Sequence, residues 1–148
     1  MTKSATRVAA DELGIDDNAT STAVTIDASE NVGIGVVPKS WSSGFTALEV
    51  GNNASLYNEG SVATGYTQNA YKKLGADWAY MSTDEASWNE QYNGTHRFLV
   101  APSGTADSAI TWTTGFEVLA DGKARAKNGL LFGTDTAAAN TLDDYEEG

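Results

Sequence analysis

Cysteine is absent from this chain, proline occurs twice, histidine once, and no apolar run approaches the ~20 residues of a membrane-spanning helix. Without thiols there are no disulfides, no thiol catalysis and no Cys-based zinc or iron–sulfur site. The redox compartment stays open, because a thiol-free chain works on either side of a membrane. The single histidine, His96, excludes a His-rich metal site, and any Ser–His–Asp triad would have to use it. The N-terminal Met1-Thr2-Lys3-Ser4-Ala5-Thr6-Arg7 has no apolar stretch behind its charges, so it does not read as a secretory signal. Positive charge is scarce: nine Lys and Arg stand against twenty Asp and Glu, for a net charge of −11. Such a surface repels phosphate and anionic lipid, which sets aside nucleic acid and membrane insertion as partners.

The 148 residues make about one domain, and 41% hydrophobic content with four Trp, six Tyr and four Phe argues against disorder. Fifteen glycines beside so few prolines predict many turns between short strands, not long helices or a collagen stalk. Residues 1–22 are polar and small and read as an N-terminal arm or connector. Their acidic cluster, Asp11, Glu12, Asp16 and Asp17, lacks the ligand pattern of a calcium loop. A β-rich domain is expected over 23–133, followed by a tail or junction over 134–148.

Within that domain the first strand–turn–strand unit lies near 23–37, with Val24-Thr25-Ile26, an Asx-rich turn and Val32-Gly33-Ile34-Gly35-Val36-Val37 closed by Pro38. Gly33 and Gly35 would share one face of this strand and mark close approach of another chain's backbone. Similar units near 46–58 and 115–127 make a weak internal repeat. Between them, residues 62–113 form an aromatic middle with Tyr66, Tyr71, Trp78, Tyr80, Trp88, Tyr92, Phe98 and Trp112.

Three segments carry a family resemblance. Thr25-Ile26-Asp27-Ala28-Ser29-Glu30-Asn31-Val32-Gly33-Ile34-Gly35 resembles a motif in which an Ile-Asp strand and a Ser-Gly-Asn turn lead into Val-Gly-Ile-Gly. Asn93-Gly94-Thr95-His96-Arg97-Phe98, with Ala101-Pro102-Ser103-Gly104-Thr105-Ala106 and Ala109-Ile110-Thr111-Trp112-Thr113, is similar to a second phrase of the same proteins. Gly129-Leu130-Leu131-Phe132-Gly133, followed by Asn140 to Gly148, resembles the junction at which relatives pass into a further domain. The proteins in question are tail fibre and fibre-like virion structural proteins of tailed bacteriophages. The patches cover roughly half the chain in the right order. Glu30 departs from the usual Gly, and Val36-Val37-Pro38 replaces a Thr/Ser-rich lead. The resemblance implies a trimeric, β-rich, virion-exposed protein made in the bacterial host cytoplasm. Composition and periodicity reach only an acidic, all-β chain with a weak repeat.

The residues offer little chemistry. Asp77, Asp84, Glu85 and Glu90 lie near Trp78, Tyr80 and Trp88, but a glycosidase needs two acids about 5–10 Å apart, usually on a much longer chain. Trp78, Tyr80, Trp88, Tyr92 and His96 could instead stack on and hydrogen-bond a host surface glycan; the plainer account makes the aromatics core and interface residues. Asn18-Ala19-Thr20, Asn53-Ala54-Ser55 and Asn93-Gly94-Thr95 fit the glycosylation sequon by accident of composition. No glycine loop precedes a helix that could hold phosphate. The expectation is therefore an all-β, non-enzymatic protein with no cofactor and no metal. Its short antiparallel strands form a sandwich or prism and pack as a homotrimer. Val24, Ile26, Val32, Ile34, Leu48, Val50, Phe116 and Val118 are the candidates for core or trimer interface. The arm would attach to other virion proteins, and the aromatic middle would be the exposed working surface. The alternatives are a host-glycan-binding receptor module and a head fibre or decoration protein.

Overall fold

The computed structural model describes residues 22–131, which contain strands and no helix. The expected arm (Thr22 apart) and the expected C-terminal tail lie outside the described residues. The strands are β1 Val24–Ile26, β2 Val32–Ile34, β3 Phe45–Val50, β4 Ala54–Glu59, β5 Ala63–Gln68, β6 Ala70–Lys72, β7 Trp78–Tyr80, β8 Asp84–Tyr92, β9 Thr95–Gly104, β10 Thr113–Val118 and β11 Ala124–Ala126. Nine of them form one sheet in the order β1-β2-β3-β4-β5-β8-β9-β10-β11, and β6 and β7 pair in a small second sheet. The protein is all-β and mostly antiparallel.

Local sequence accounts for the hairpins. β1–β2, β3–β4 and β10–β11 pair across Asx- or Gly-bearing turns. The long β8–β9 hairpin turns on Asn93-Gly94, whose φ values of 47° and 77° suit the type I′ turn that matches strand twist. Among the described residues the one parallel pair is β2–β3, which departs from the all-antiparallel expectation. The strand that begins at Val32 stops at Ile34, because Gly35 takes φ +68° and sends the chain into a crossover. That crossover also explains Gly33. A Cβ there would collide with the Val36 carbonyl and stand 2.9 Å from Pro38 Cδ. The close approach expected from a neighbouring chain is made by the chain's own return.

The core lies on one side of the large sheet. Trp78 on β7 packs against Trp88 on β8 and Tyr57 on β4, at ring-centroid distances of 4.5 and 5.2 Å. Trp41 from the crossover and Trp112 from the loop before β10 flank it, and Phe45 and Tyr71 complete the layer. The sheet makes room by placing small residues beneath these rings. Ala63, Gly65 and Thr67 are the inward positions of β5, and a Cβ on Gly65 would stand 2.8 Å from the Tyr57 phenol oxygen. The Tyr57 hydroxyl accepts from Trp88 Nε1 at 2.8 Å and donates to Glu90 at 3.2 Å.

Two buried asparagines tie the irregular parts to this layer. Asn69, with φ 59°, turns β5 into β6, and its amide donates to the Ser82 and Glu85 carbonyls while accepting from Ser82 N and Oγ. Asn31 bonds the Asp27 side chain and accepts from Ala47 N on β3 at 2.9 Å. Removing the central ring tests the hub role of this layer. Trp78→Ala is expected to cost about 3–5 kcal/mol, the usual range for deleting a buried aromatic, read from the denaturant midpoint at constant slope. A loss under about 1 kcal/mol would place the hub elsewhere.

Candidate interaction surface

Successive residues of a strand face opposite sides, and the register propagates that rule across the whole sheet. Beginning at Ile26, neighbouring partners run through Val32, Leu48, Leu56, Tyr66, Asn89, Phe98 and Phe116 to Ala126. A parallel row runs from Val24 through Ile34, Val50, Ala54, Gln68, Ser87 and Val100 to Thr113. These rows lie opposite the tryptophan layer. Ile26 is 69% exposed, Tyr66 59%, Val100 54% and Leu56 51%. Nine large apolar side chains of this face, Val24, Ile26, Ile34, Val50, Leu56, Tyr66, Phe98, Val100 and Phe116, are 39–69% exposed, more than scattered single apolar residues would give.

No register-paired residue on this face is Asp, Glu, Lys or Arg, in a chain that carries twenty acidic and nine basic residues. Glu49, Glu90, Arg97, Glu117 and Arg125 point the other way, whereas Glu85, outside the register pairs, is exposed in the Ser87–Asn89 alternation of β8. Glu90, Arg97, Glu117 and Arg125 stand side by side across β8 to β11 as alternating signs. Arg97 pairs with Glu90 and Arg125 with Glu117. The hydrogen bond from Arg125 holds the Glu117 carboxyl below its ordinary value.

The eight core-or-interface candidates all lie on the uncharged face. Val24, Ile26, Ile34, Val50 and Phe116 are exposed, and Val32, Leu48 and Val118 are half-buried. None belongs to the buried core of the single chain, which corrects that half of the expectation: the registers turn them away from the aromatic layer. The face is uneven. Near its β1 end is a hollow of about 300 Å³ walled by Val32, Leu48 and Leu56, with Glu30 of the β1–β2 turn among its lining residues. Toward the other end Phe98 and Phe116 form a pair of rings with centroids 6.0 Å apart.

The aromatic candidates do not make a surface. Trp78, Tyr80 and Trp88 are 9, 4 and 8% exposed, so their faces are spent on the core, and this corrects the expectation of an exposed aromatic working surface. All three residues of β7 are buried, and its edges pair with β6 and, at Ala79–Ala109, with the loop before β10. The alternation of Trp78 and Tyr80 gave no sign of that enclosure. Tyr92 is half-buried beneath the Arg97 guanidinium, 4.5 Å from its ring centroid. His96 is exposed on the opposite side and lines a polar groove of about 320 Å³ with Asn58, Gln91 and Asn93.

Of the acidic candidates, Glu90 is buried in its pair with Arg97, Asp77 lies 3.5 Å from Lys72, and Asp84 accepts from the Glu85 backbone. No group of three or more metal-ligating side chains occurs among the described residues, nor any helix long and apolar enough to cross a membrane.

Glu49, which sequence reasoning missed, is 1% exposed. It accepts from Lys39 N at 2.8 Å and from Trp41 Nε1 at 2.6 Å, so both donors are neutral. Burial pushes its carboxyl up, against the lowering effect of those bonds. No protein-family model matches this chain. No curated protein and no solved structure matches it.

Glu49 gives a pH prediction. A carboxyl raised in the fold costs stability while ionised there, and the cost fades as pH falls through the raised value. Asp27, Asp107 and Glu117 are held low and act with the opposite sign, losing their contribution as pH falls through their folded values. Glu49→Gln keeps an oxygen for Lys39 and Trp41 and removes the charge. Its melting midpoint is expected to exceed the wild type's at neutral pH, with the gap closing as pH drops toward the 4.5 of an ordinary glutamate. A variant less stable at every pH would show that the charge itself is needed.

Proposed function

We propose that this protein is a structural segment of a bacteriophage fibre, working as a homotrimer exposed on the virion and supporting host attachment. The observation that carries the reading is the uncharged apolar face of the large sheet. A chain with net charge −11 repels its own copies at most approaches. A face free of charge lets copies meet there while their carboxylates stay outward, and it buries apolar area that a single chain leaves in water. Three copies would carry 3 × (−11) = −33 in all.

The resemblance supports the number three and the phage setting. Its first motif forms β1 and β2, at the apolar end of the face, and its second supplies β9 with Phe98. The work of such a segment is mechanical: it holds a rigid β-rich body in the fibre and presents a soluble, acidic exterior. Burial of Trp78, Tyr80 and Trp88 takes the stacking surface away from the glycan-receptor alternative.

Light scattering coupled to size exclusion tests the reading. The expected mass is three times 15.5 kDa. Leu56→Asp, at a half-exposed site of the face, is expected to shift the mass to that of one chain with the circular dichroism unchanged. A one-chain mass for the unsubstituted protein at micromolar concentration would overturn the proposal.

A further inference from the structure

We propose that the hollow near the β1 end of the apolar face, with Glu30 among its lining residues, takes an arginine side chain from a basic segment of another protein. The inference goes beyond the self-assembling reading and stands whether or not copies associate.

The backbone singles out Glu30. Among the described residues four other than glycine have positive φ, and three of them are Asn69, Asn93 and Asp107, whose short polar side chains tolerate that region. The fourth is Glu30, at φ 66°. Glycine would hold this position without strain, whereas a glutamate gains nothing locally from it. Strained side chains of this kind gather at functional sites.

The Glu30 carboxylate is also left over. Its backbone N–H bonds the Asp27 carbonyl at 3.2 Å, but the side chain has no ion pair among the described residues, while Glu90 and Glu117 each hold an arginine. The turn that carries it is well braced. Asp27 Oδ1 accepts from Ser29 N and Asn31 N, and Asn31 Oδ1 accepts from Ala47 N on β3 at 2.9 Å.

The rest of the lining selects the occupant. Val32, Leu48 and Leu56 wall a hollow of about 300 Å³, at the small end of ligand cavities and suited to one long side chain. Thr46 and Asn58 also line it, as register partners two residues along from Leu48 and Leu56 on the same face. Asn58 Nδ2 bonds the Ala63 carbonyl and Thr64 Oγ1, so its Oδ1 remains as an acceptor. An apolar wall suits the methylene stem of a basic residue. A carboxylate with further oxygen acceptors suits the guanidinium, which is planar, weakly hydrated and carries five donors.

Charge points to the source. An uncharged stretch of another copy laid over Glu30 would bury a carboxylate without a partner, which is costly. The described arginines, Arg97 and Arg125, are already held by Glu90 and Glu117. A net charge of −11 draws a basic segment toward the chain.

The probe is Nα-acetyl-arginine methylamide, titrated into the full chain and followed by two-dimensional amide NMR beside its citrulline and norleucine analogues. Citrulline keeps the shape without the charge, and norleucine keeps only an apolar stem. The arginine compound is expected to give saturable shifts centred on Glu30, Val32, Leu48, Leu56 and Asn58. It is expected to bind about fivefold tighter than the citrulline compound, the upper worth of an exposed ion pair. Added salt and Glu30→Gln are each expected to remove that margin. Glu30→Gly is expected to remove it too, with a melting midpoint equal to or above the wild type's, because the strain leaves with the side chain.

Equal binding of the arginine and citrulline compounds, or an arginine preference that survives in Glu30→Gly, would overturn the proposal. So would a fall in the mass of the unliganded protein on Glu30→Gln, since the hollow would then belong to a copy of the chain. A one-chain mass for the unsubstituted protein with the arginine preference intact sinks the homotrimer and leaves this site standing.

Discussion

The packing of Trp78 among Trp41, Phe45, Tyr57, Trp88 and Trp112 ties the small β6–β7 sheet and the two long loops onto the nine-stranded sheet. Rings of this size need deep cover, and the sheet supplies it with Ala63, Gly65 and Thr67 on β5 and Ala86 on β8. The cover is spent on one side. With aromatics concentrated in a single layer, no second layer covers the other side among the described residues, and Val24, Ile26, Ile34, Val50 and Leu56 are exposed there. The exposed face is thus a direct consequence of where the tryptophans went.

Electrostatics follow the same division. On the covered side Glu90 pairs with Arg97, Glu117 pairs with Arg125, and Glu49 accepts from two neutral donors. Glu90 is almost wholly enclosed, so its pair with Arg97 offsets a desolvation cost that an exposed pair never meets. The register-paired positions of the open side carry only hydroxyls, amides, one imidazole and apolar groups.

Much of the fold was legible because strand and turn signals are local. Val24-Thr25-Ile26, Ala47-Leu48-Glu49-Val50 and Phe116-Glu117-Val118 combine β-branched or aromatic residues with Asx and Gly turns, and strands stand at those positions. The eight candidates for core or interface fall on one side of the sheet, since alternation within a strand sorts its residues into two sets. Alternation does not say which set faces inward. Val24 and Ile26 look like core by hydrophobicity, yet the tryptophan layer sits on their opposite side. Trp78 and Tyr80 look like a surface stripe, yet all three residues of β7 are buried.

The sequence by itself determined an all-β chain, its hairpin positions and its excess of negative charge, because composition, two-residue periodicity and turn residues act within a few positions of one another. Tertiary structure alone decided the parallel β2–β3 pair, the burial of Glu49, Asn31 and Asn69, and the alignment of uncharged positions from nine strands on one face. Those features depend on register between segments far apart in the chain. A shift of one residue would have turned every side chain of a strand to the other side.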